Sequence, residues 1–393
     1  MVKLPIYLDY NATTPCDPRV VEAMMPFFNQ YFGNAASRSH SFGWQAAEAV
    51  DYAREQVSQL VGAEAGEIIF TSGATEACNL ALKGVFETYS FKGNHIITSN
   101  IEHKAVLDSC RHLEKLGAEI TYLTVRNDGI VNLDELKNAF RPETILVAIM
   151  YANNEIGTIM PVKEISKIAK EKGVLFFTDA TQAVGKIPVN VIDDGIDLLA
   201  FSSHKIYGPK GIGALYVRRK NPRVKLTAQI DGGGHEKGLR SGTLNVPAIV
   251  GLGKACELCQ DQMETDASRV KKLRDKLERE LSTVDGSMIN GNKDQRLPHV
   301  CNMSFKYVEG DALITGFNKN IAVSSGAACT SATPEPSHVL TAIGLDEELM
   351  RSSIRFSLGR LTTEEEIDYV IQQIKDTVNN LRELNPVLSG LKK

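Results

Sequence analysis

VLFFTDATQAVGKIPVNVIDDGIDLLAFSSHKIYGPKGIGALYV, residues 174–217, holds three apolar runs separated by polar or glycine-rich turns. The first, VLFF, closes on Asp179, with Gln182 three residues on. The second, LLAF, runs into Ser202, Ser203, His204 and Lys205, and the third, IGALYV, follows a glycine-rich turn. Short apolar runs without alternation, bounded by turn residues, read as strands covered on both faces.

The same texture extends towards the N-terminus. EIIFTSG (67–73), HIITSN (95–100), EITYLTV (119–125) and TILVAIMYAN (144–153) read as further strands. Helical patterns lie between several of them: ATEACNLALKGVFETY (74–89), EHKAVLDSCRHLEKLG (102–117) and VKEISKIAKEKG (162–173). Strands alternating with helices predict an α/β domain with a mainly parallel seven-stranded sheet flanked by helices. Near residue 255 the texture changes to a long charged helix over about 254–284. Shorter strands follow around HVCNMSFKYV (299–308) and NIAVSS (320–325), then a helix from Thr363 to about Leu384. This second part reads as a smaller α+β domain. The expected division is 15–258 for the large domain, and 1–14 with 259–393 for the small one.

A chain of 393 residues exceeds what one core usually serves. With 43% hydrophobic and 23% charged residues and a formal charge of −4, the composition is that of an ordinary globular protein and gives no case for nucleic acid as a partner. No segment approaches the ~18 uninterrupted apolar residues of a membrane span. The start, MVKLPIYLDYNATTP, shows no export or organelle signal, so a cytoplasmic location is expected. Seven scattered cysteines fit a reduced compartment. Cys256 and Cys259 form a CxxC, but no second pair completes a zinc set and AIVGLGKACELCQ (248–260) reads as an amphipathic helix.

In parallel sheets, ligands sit beyond the carboxyl ends of the strands. The unusual polar residues cluster there. In IIFTSGATEACNLAL (68–82), a strand, a Ser-Gly turn and a helix start offer free N–H groups to an anion, with Thr75 adding a hydroxyl; a plain N-cap is the alternative. Asp179 is either a helix cap or the partner of a buried cation such as a protonated pyridine nitrogen. Lys205 is either a solvated turn lysine or an amine poised for Schiff-base formation. Anion turn, aspartate and Ser-Ser-His-Lys, in that order on successive strand ends, together match what a pyridoxal-phosphate site requires.

At this point the sequence resembles the fold-type I pyridoxal-phosphate enzymes of the class V aminotransferase group, and within it the IscS-type, group I cysteine desulfurases. The likeness rests on YLDYNATTP (7–15), FGNAASRSH (32–40), SGATEACN (72–79), EHKAV (102–106), NNEIG (153–157), DATQAVGK (179–186), SSHKIYGPKG (202–211), GGGHEKGLRSGT (232–243), SSGAACTSA (324–332) and SSIRFSLGR (352–360). The resemblance implies a cysteine desulfurase that takes sulfur from L-cysteine, gives L-alanine and leaves a persulfide on Cys329. Lys205 would be the Schiff-base lysine, Asp179 the partner of the pyridine nitrogen and Gln182 that of the ring oxygen. His103 would stack on the ring and move protons. Ala74, Thr75, Ser202 and His204 would hold the phosphate, with Ser203 nearby. Thr243 would reach the phosphate of a neighbouring subunit, which implies a homodimer. Asn154 and Arg355 would position the substrate, with Arg355 gripping its carboxylate.

Cys329 decides the reaction in this reading. SSGAACTSATPEPS (324–337) is a run of small residues, Ser, Thr and Pro that cannot pack as a core element, which suits an accessible thiol. The length of this stretch resembles group I desulfurases, whose persulfide travels to acceptors. Those would be an iron–sulfur scaffold protein and other sulfur carriers, including a tRNA-thiolation relay. No metal is expected in the free enzyme, although Cys329 could ligate a cluster transiently with the scaffold. Departures from the family pattern are Ala35 where proline is expected, Ser203 where relatives often have glycine, and the tail NPVLSGLKK. Rival readings are a selenocysteine or cysteine-sulfinate lyase, a true aminotransferase, and a sulfur-relay scaffold without catalysis.

Overall fold

Neighbouring residues of the apolar runs are buried on opposite sides of one sheet, which is why the runs show no alternation. Phe176, Leu199 and Tyr216 belong to one core, and their neighbours Phe177, Leu198 and Leu215 to another. A period of two along each strand feeds both layers. The computed structural model describes residues 2–325 and 336–384.

The seven strands run in the order Ile68–Thr71, Gly213–Val217, Leu198–Ser202, Leu175–Asp179, Thr144–Ala148, His95–Ser99 and Glu119–Leu123. All pairings are parallel except those of Gly213–Val217, which is antiparallel to both neighbours. Parallel partners need helical crossovers, whereas an antiparallel partner can return directly. The chain therefore leaves Ser202 through a tight turn at Ser203–Lys205 and comes straight back at Gly213.

Helices seal both faces. Ala74–Tyr89 and Lys104–Glu114 place Cys78, Leu82, Val106 and Cys110 in one core. Ser41–Val61, Val162–Glu171 and the first part of Val246–Leu281 fill the other. The last of these is 36 residues long, about 54 Å at 1.5 Å per residue. It joins the amphipathic stretch 248–260 and the charged one from about 254 into one helix, and it begins at Val246 because Asn245 caps it and a proline occupies its first turn. Cys256 and Cys259 are both buried on it.

The far end of that helix, from Val270 to Leu281, belongs to a separate core with Ile6, Leu8, Phe305, Phe356 and Ile374. There a four-stranded antiparallel sheet runs Ser324–Ser325, Ser353–Ser357, Val300–Phe305 and Ser287–Ile289. The helix Glu364–Glu383 lies against it, started by a capping box between Thr363 and Glu366. Ile6–Tyr7 pairs with Ile321–Ala322, while Val339, Leu340, Ile343 and Met350 pack back into the first core. Among the described residues no helix is long and apolar enough to cross a membrane.

Candidate active site

The carboxyl ends of the parallel strands open into a cleft of about 700 Å³. Its lining comes from distant parts of the chain: Asn11 to Thr13, Ser72 to Glu76, His103, Met150, Asn154, Asp179, Gln182, Ser202, His204, Lys205 and, from the small sheet, Arg355.

Lys205 ends the tight turn after its strand, and its Nζ donates to the main-chain oxygens of Asn11 and Ala12. Burial, and next the Arg355 guanidinium, lower its pKa to about 8, against the pull of Asp179 and Asp9. Its amine is thus far closer to neutrality at physiological pH than a surface lysine. His204 shares a 3.1 Å hydrogen bond with the Thr13 hydroxyl. Burial, Lys205 and Lys210 push its pKa down to about 4, which keeps the ring neutral.

Asp179 is the last residue of its strand and is buried. Its Oδ1 accepts from the Thr181 N–H at 3.0 Å, so it does cap the following turn, and it also faces the cleft. The Cys78 thiol points at Oδ2 from 3.9 Å. Gln182 donates through Nε2 to the Asn11 carbonyl at 3.0 Å, and its amide keeps a second N–H for another acceptor. Behind them, Glu102 is fully buried; its Oε1 accepts from the Ser99 hydroxyl and the Met150 N–H. Burial raises its carboxyl to about 8, opposed by those hydrogen bonds and assisted by Asp179.

Gly73, at φ +157°, precedes the Ala74–Tyr89 helix. A Cβ built there would meet only the Ser202 hydroxyl, at 3.8 Å, so the first N–H groups at Ala74 and Thr75 open onto the cleft. Glu76 sits in this first turn, where its charge would oppose an anion. It is turned back onto the Ser72 N–H and onto Arg240, whose Nε is 2.8 Å away. Burial raises its pKa most, yet the hydrogen bonds from Arg240 and Ser72 outweigh this and leave the carboxyl below its ordinary value.

His103 satisfies two readings at once. Its Nδ1 accepts from the Ala105 N–H at 3.1 Å as the N-cap of the Lys104–Glu114 helix, while the ring lines the cleft. In the neutral ring the proton is therefore on Nε2. Arg355 donates from Nη2 to Asp9 at 2.6 Å and to Ser324 at 2.8 Å, and from Nη1 to the Asn154 main-chain oxygen at 3.1 Å.

Two anticipated residues lie elsewhere. Ser203 is fully buried and absent from the lining; a Cβ at Gly208 would lie 2.0 Å from its Oγ, so this side chain packs beneath the turn. Thr243 is exposed and outside the cleft of its own chain. Cys329 lies outside the described residues. Conversely, Asn11 and Glu102 were not singled out from the sequence, although both lie in quoted motifs, YLDYNATTP and EHKAV. A buried Glu beside an exposed His, and an Asn in the turn between the short strand Ile6–Tyr7 and the helix Pro18–Met24, carry no local signal of their neighbours.

The polar residues fit pyridoxal 5'-phosphate. Among the described residues, the buried atoms Thr181 Oγ1, Gln182 Oε1 and Arg355 Nε have no partner, and these three residues face the cleft. Such groups are costly to bury unless a ligand or water satisfies them. The open helix N-terminus suits a phosphate, the buried Asp179 a ring cation, and the Lys205 amine, with its pKa lowered by burial, an aldehyde.

A family model described as Aminotransferase class-V matches residues 6–370. The chain is 56% identical over 388 residues to a cysteine desulfurase IscS of Pectobacterium carotovorum, covering 98% of this chain and 96% of that one. Among solved structures, a NifS-like protein superposes with a TM-score of 0.90 at 39% identity, covering 96% of this chain and all of the other. A structure described as SspA in complex with cysteine has a TM-score of 0.80 at 38% identity, over 91% and 100% of the two chains.

Proposed function

The chain belongs to the aminotransferase class-V family, among its cysteine desulfurases, and from that premise we propose that it uses pyridoxal 5'-phosphate to take sulfur from L-cysteine and pass it to Cys329. One observation carries this reading. Lys205, Asp179, His103 and Arg355 come from four separate elements and meet in one cleft.

Lys205 would hold the cofactor covalently, Asp179 its ring nitrogen and Gln182 its ring oxygen. Ala74, Thr75, Ser202 and His204 would hold its phosphate, joined by Thr243 of a second subunit. When bound, the cofactor supplies an electron sink that weakens bonds at the α- and β-carbons of the substrate. Arg355 and Asn154 orient L-cysteine, the free Arg355 Nε–H adding to the grip on its carboxylate. Lys205 takes the Cα proton at Nζ, which its lowered pKa favours. His103 offers Nε2 for proton exchange on the thiol side. The Cys329 thiolate forms a bond to the substrate sulfur as the carbon–sulfur bond breaks. The carbon keeps the electron pair and gains a proton, so L-alanine leaves and Cys329 is left as a persulfide.

The acceptors of that sulfur would be an iron–sulfur scaffold protein and other carriers, and the working unit a homodimer in the cytoplasm. We also propose the domain division 15–258 against 1–14 with 259–393; the placement of Ile6 and Leu8 in the second core supports it.

The test is alanine and sulfide release from L-cysteine with dithiothreitol, for wild type and Cys329→Ala. Wild type is expected to make both products, and the variant neither, while still binding the cofactor. Full activity in the variant would instead leave a lyase that needs no protein persulfide.

A further inference from the structure

Asn11 is 1% exposed, and every polar group it has is engaged at the site. Its main-chain oxygen receives Lys205 Nζ and Gln182 Nε2, and its N–H donates to the Ser357 hydroxyl at 2.9 Å. Its Nδ2 donates to the Asn154 main-chain oxygen at 2.9 Å, and that same oxygen receives Arg355 Nη1. Its Oδ1 lies 2.8 Å from His299 Nε2. Because Nδ2 meets a carbonyl, the amide orientation is fixed, and His299 must be the donor to Oδ1. The ring can do so only if Nε2 carries the proton, which leaves that nitrogen no lone pair for Lys186 Nζ, the more distant neighbour at 3.4 Å. Burial and the cations Lys186, Arg274 and Arg355 keep His299 neutral, and its Nδ1 has no partner among the described residues.

The segment around Asn11 also joins the two lobes. Asp9 bridges to the Ser353–Ser357 strand and pairs with Arg355. Thr14, three residues after Asn11, is bound through its N–H and its hydroxyl to the His204 carbonyl. Asn11 thus stands between the lysine turn of one lobe and the arginine strand of the other.

We propose that Asn11 is a positioning residue. Its carbonyl, with that of Ala12, is the resting place of the Lys205 amine whenever that amine is not bound to the cofactor. Its side chain, clamped by His299, fixes that place relative to Asn154 and Arg355, so the amine waits at a set distance from the substrate α-carbon. This rests on the assignment of Lys205 above. A carbonyl pair holds an ammonium firmly and a neutral amine through its hydrogens, so the amine stays near the site in both protonation states.

The test uses the full-length chain with Asn11→Ala, His299→Ala and His299→Gln. Glutamine restores a donor for Oδ1 without an imidazole. The first readout is the titration of Lys205 in cofactor-free protein, by trace acetic anhydride labelling and mass spectrometry of its peptide. Wild type is expected to titrate near the value of about 8 given above. Asn11→Ala and His299→Ala are expected to titrate lower, because the main-chain carbonyl that accepts from the ammonium remains but is no longer held in place by the side-chain bonds, and His299→Gln to return towards wild type. The second readout is steady-state turnover of L-cysteine, where the two alanine variants should lose about tenfold or more in kcat with a smaller change in KM, again rescued by His299→Gln. Unchanged titration, or a loss of melting temperature with no change in kcat, would overturn the proposal and leave Asn11 a structural residue. Lys205→Ala, run in parallel, separates the two claims. If it still forms alanine, the Lys205 assignment fails; if it does not while Asn11→Ala behaves as wild type, only the Asn11 proposal fails.

Discussion

Glu102 shows what one side chain does when water is withdrawn from it. The carboxyl is fully buried and titrates at about 8, against an ordinary 4.5. The folded state therefore binds this proton more tightly than the unfolded state. Stability from this group is fully present below the unfolded value and is lost as pH rises from about 5 towards 8. Glu102→Gln keeps an oxygen for Ser99 and Met150 but cannot ionise. Its melting temperature is expected to gain on wild type steadily between pH 5 and 8, and parallel curves would refute the buried acid. Glu102→Ala orphans both donors and should cost about 2 kcal/mol in denaturant unfolding at pH 6. The strand ends that carry His103 and Met150 would loosen with it.

The antiparallel strand is the element that shapes the site. Gly213–Val217 returns directly beside Leu198–Ser202 and so fixes the tight turn that ends on Lys205. Its first residue also touches the anion turn. A Cβ on Gly213 would lie 2.6 Å from the Phe201 carbonyl oxygen and 2.7 Å from the Gly73 Cα, both backbone atoms that have no room to yield. Gly213→Ala is expected to displace Gly73. It should cost about 1–3 kcal/mol by overpacking and weaken pyridoxal 5'-phosphate binding, read by equilibrium dialysis. Retained affinity with lowered stability would detach this strand from the phosphate pocket.

At the scale of the molecule, one stretch stands out. Phe28, Phe32, Phe42, Trp44 and Tyr52 are all more than 45% exposed, and the Phe32 and Phe42 rings lie against each other at 5.4 Å; exposed apolar side chains that cluster mark interaction surfaces. With Thr243 outside its own cleft, this fits the expected homodimer. Light scattering should give twice the mass of 43.0 kDa for wild type. Phe32→Asp with Trp44→Asp should shift the protein to monomer and lose cofactor alongside. A monomeric wild type would remove the second-subunit role of Thr243, and dimeric variants would place the interface away from Phe32 and Trp44.

The sequence by itself determined the sheet, its mainly parallel character and the order of chemistry along it, because strands covered on both faces must be apolar throughout and polar residues then stand out at their ends. It also determined Lys205, Asp179 and Arg355 as candidates, since short motifs around them are specific. It did not determine that Gly213–Val217 runs antiparallel, because an apolar run carries no direction. It did not reveal that the amphipathic stretch from Ala248 and the charged one from Lys254 form one continuous helix, started at Val246 by a cap and a proline. Only the tertiary structure decided that Ser203 packs inward while Ser202 faces the cleft, and that Asn11 stands between Lys205 and Arg355, residues separated by 194 and 344 positions from it. Burial and hydrogen-bond partners are properties of surfaces brought together by folding, and no local pattern of residues encodes which distant surface will arrive.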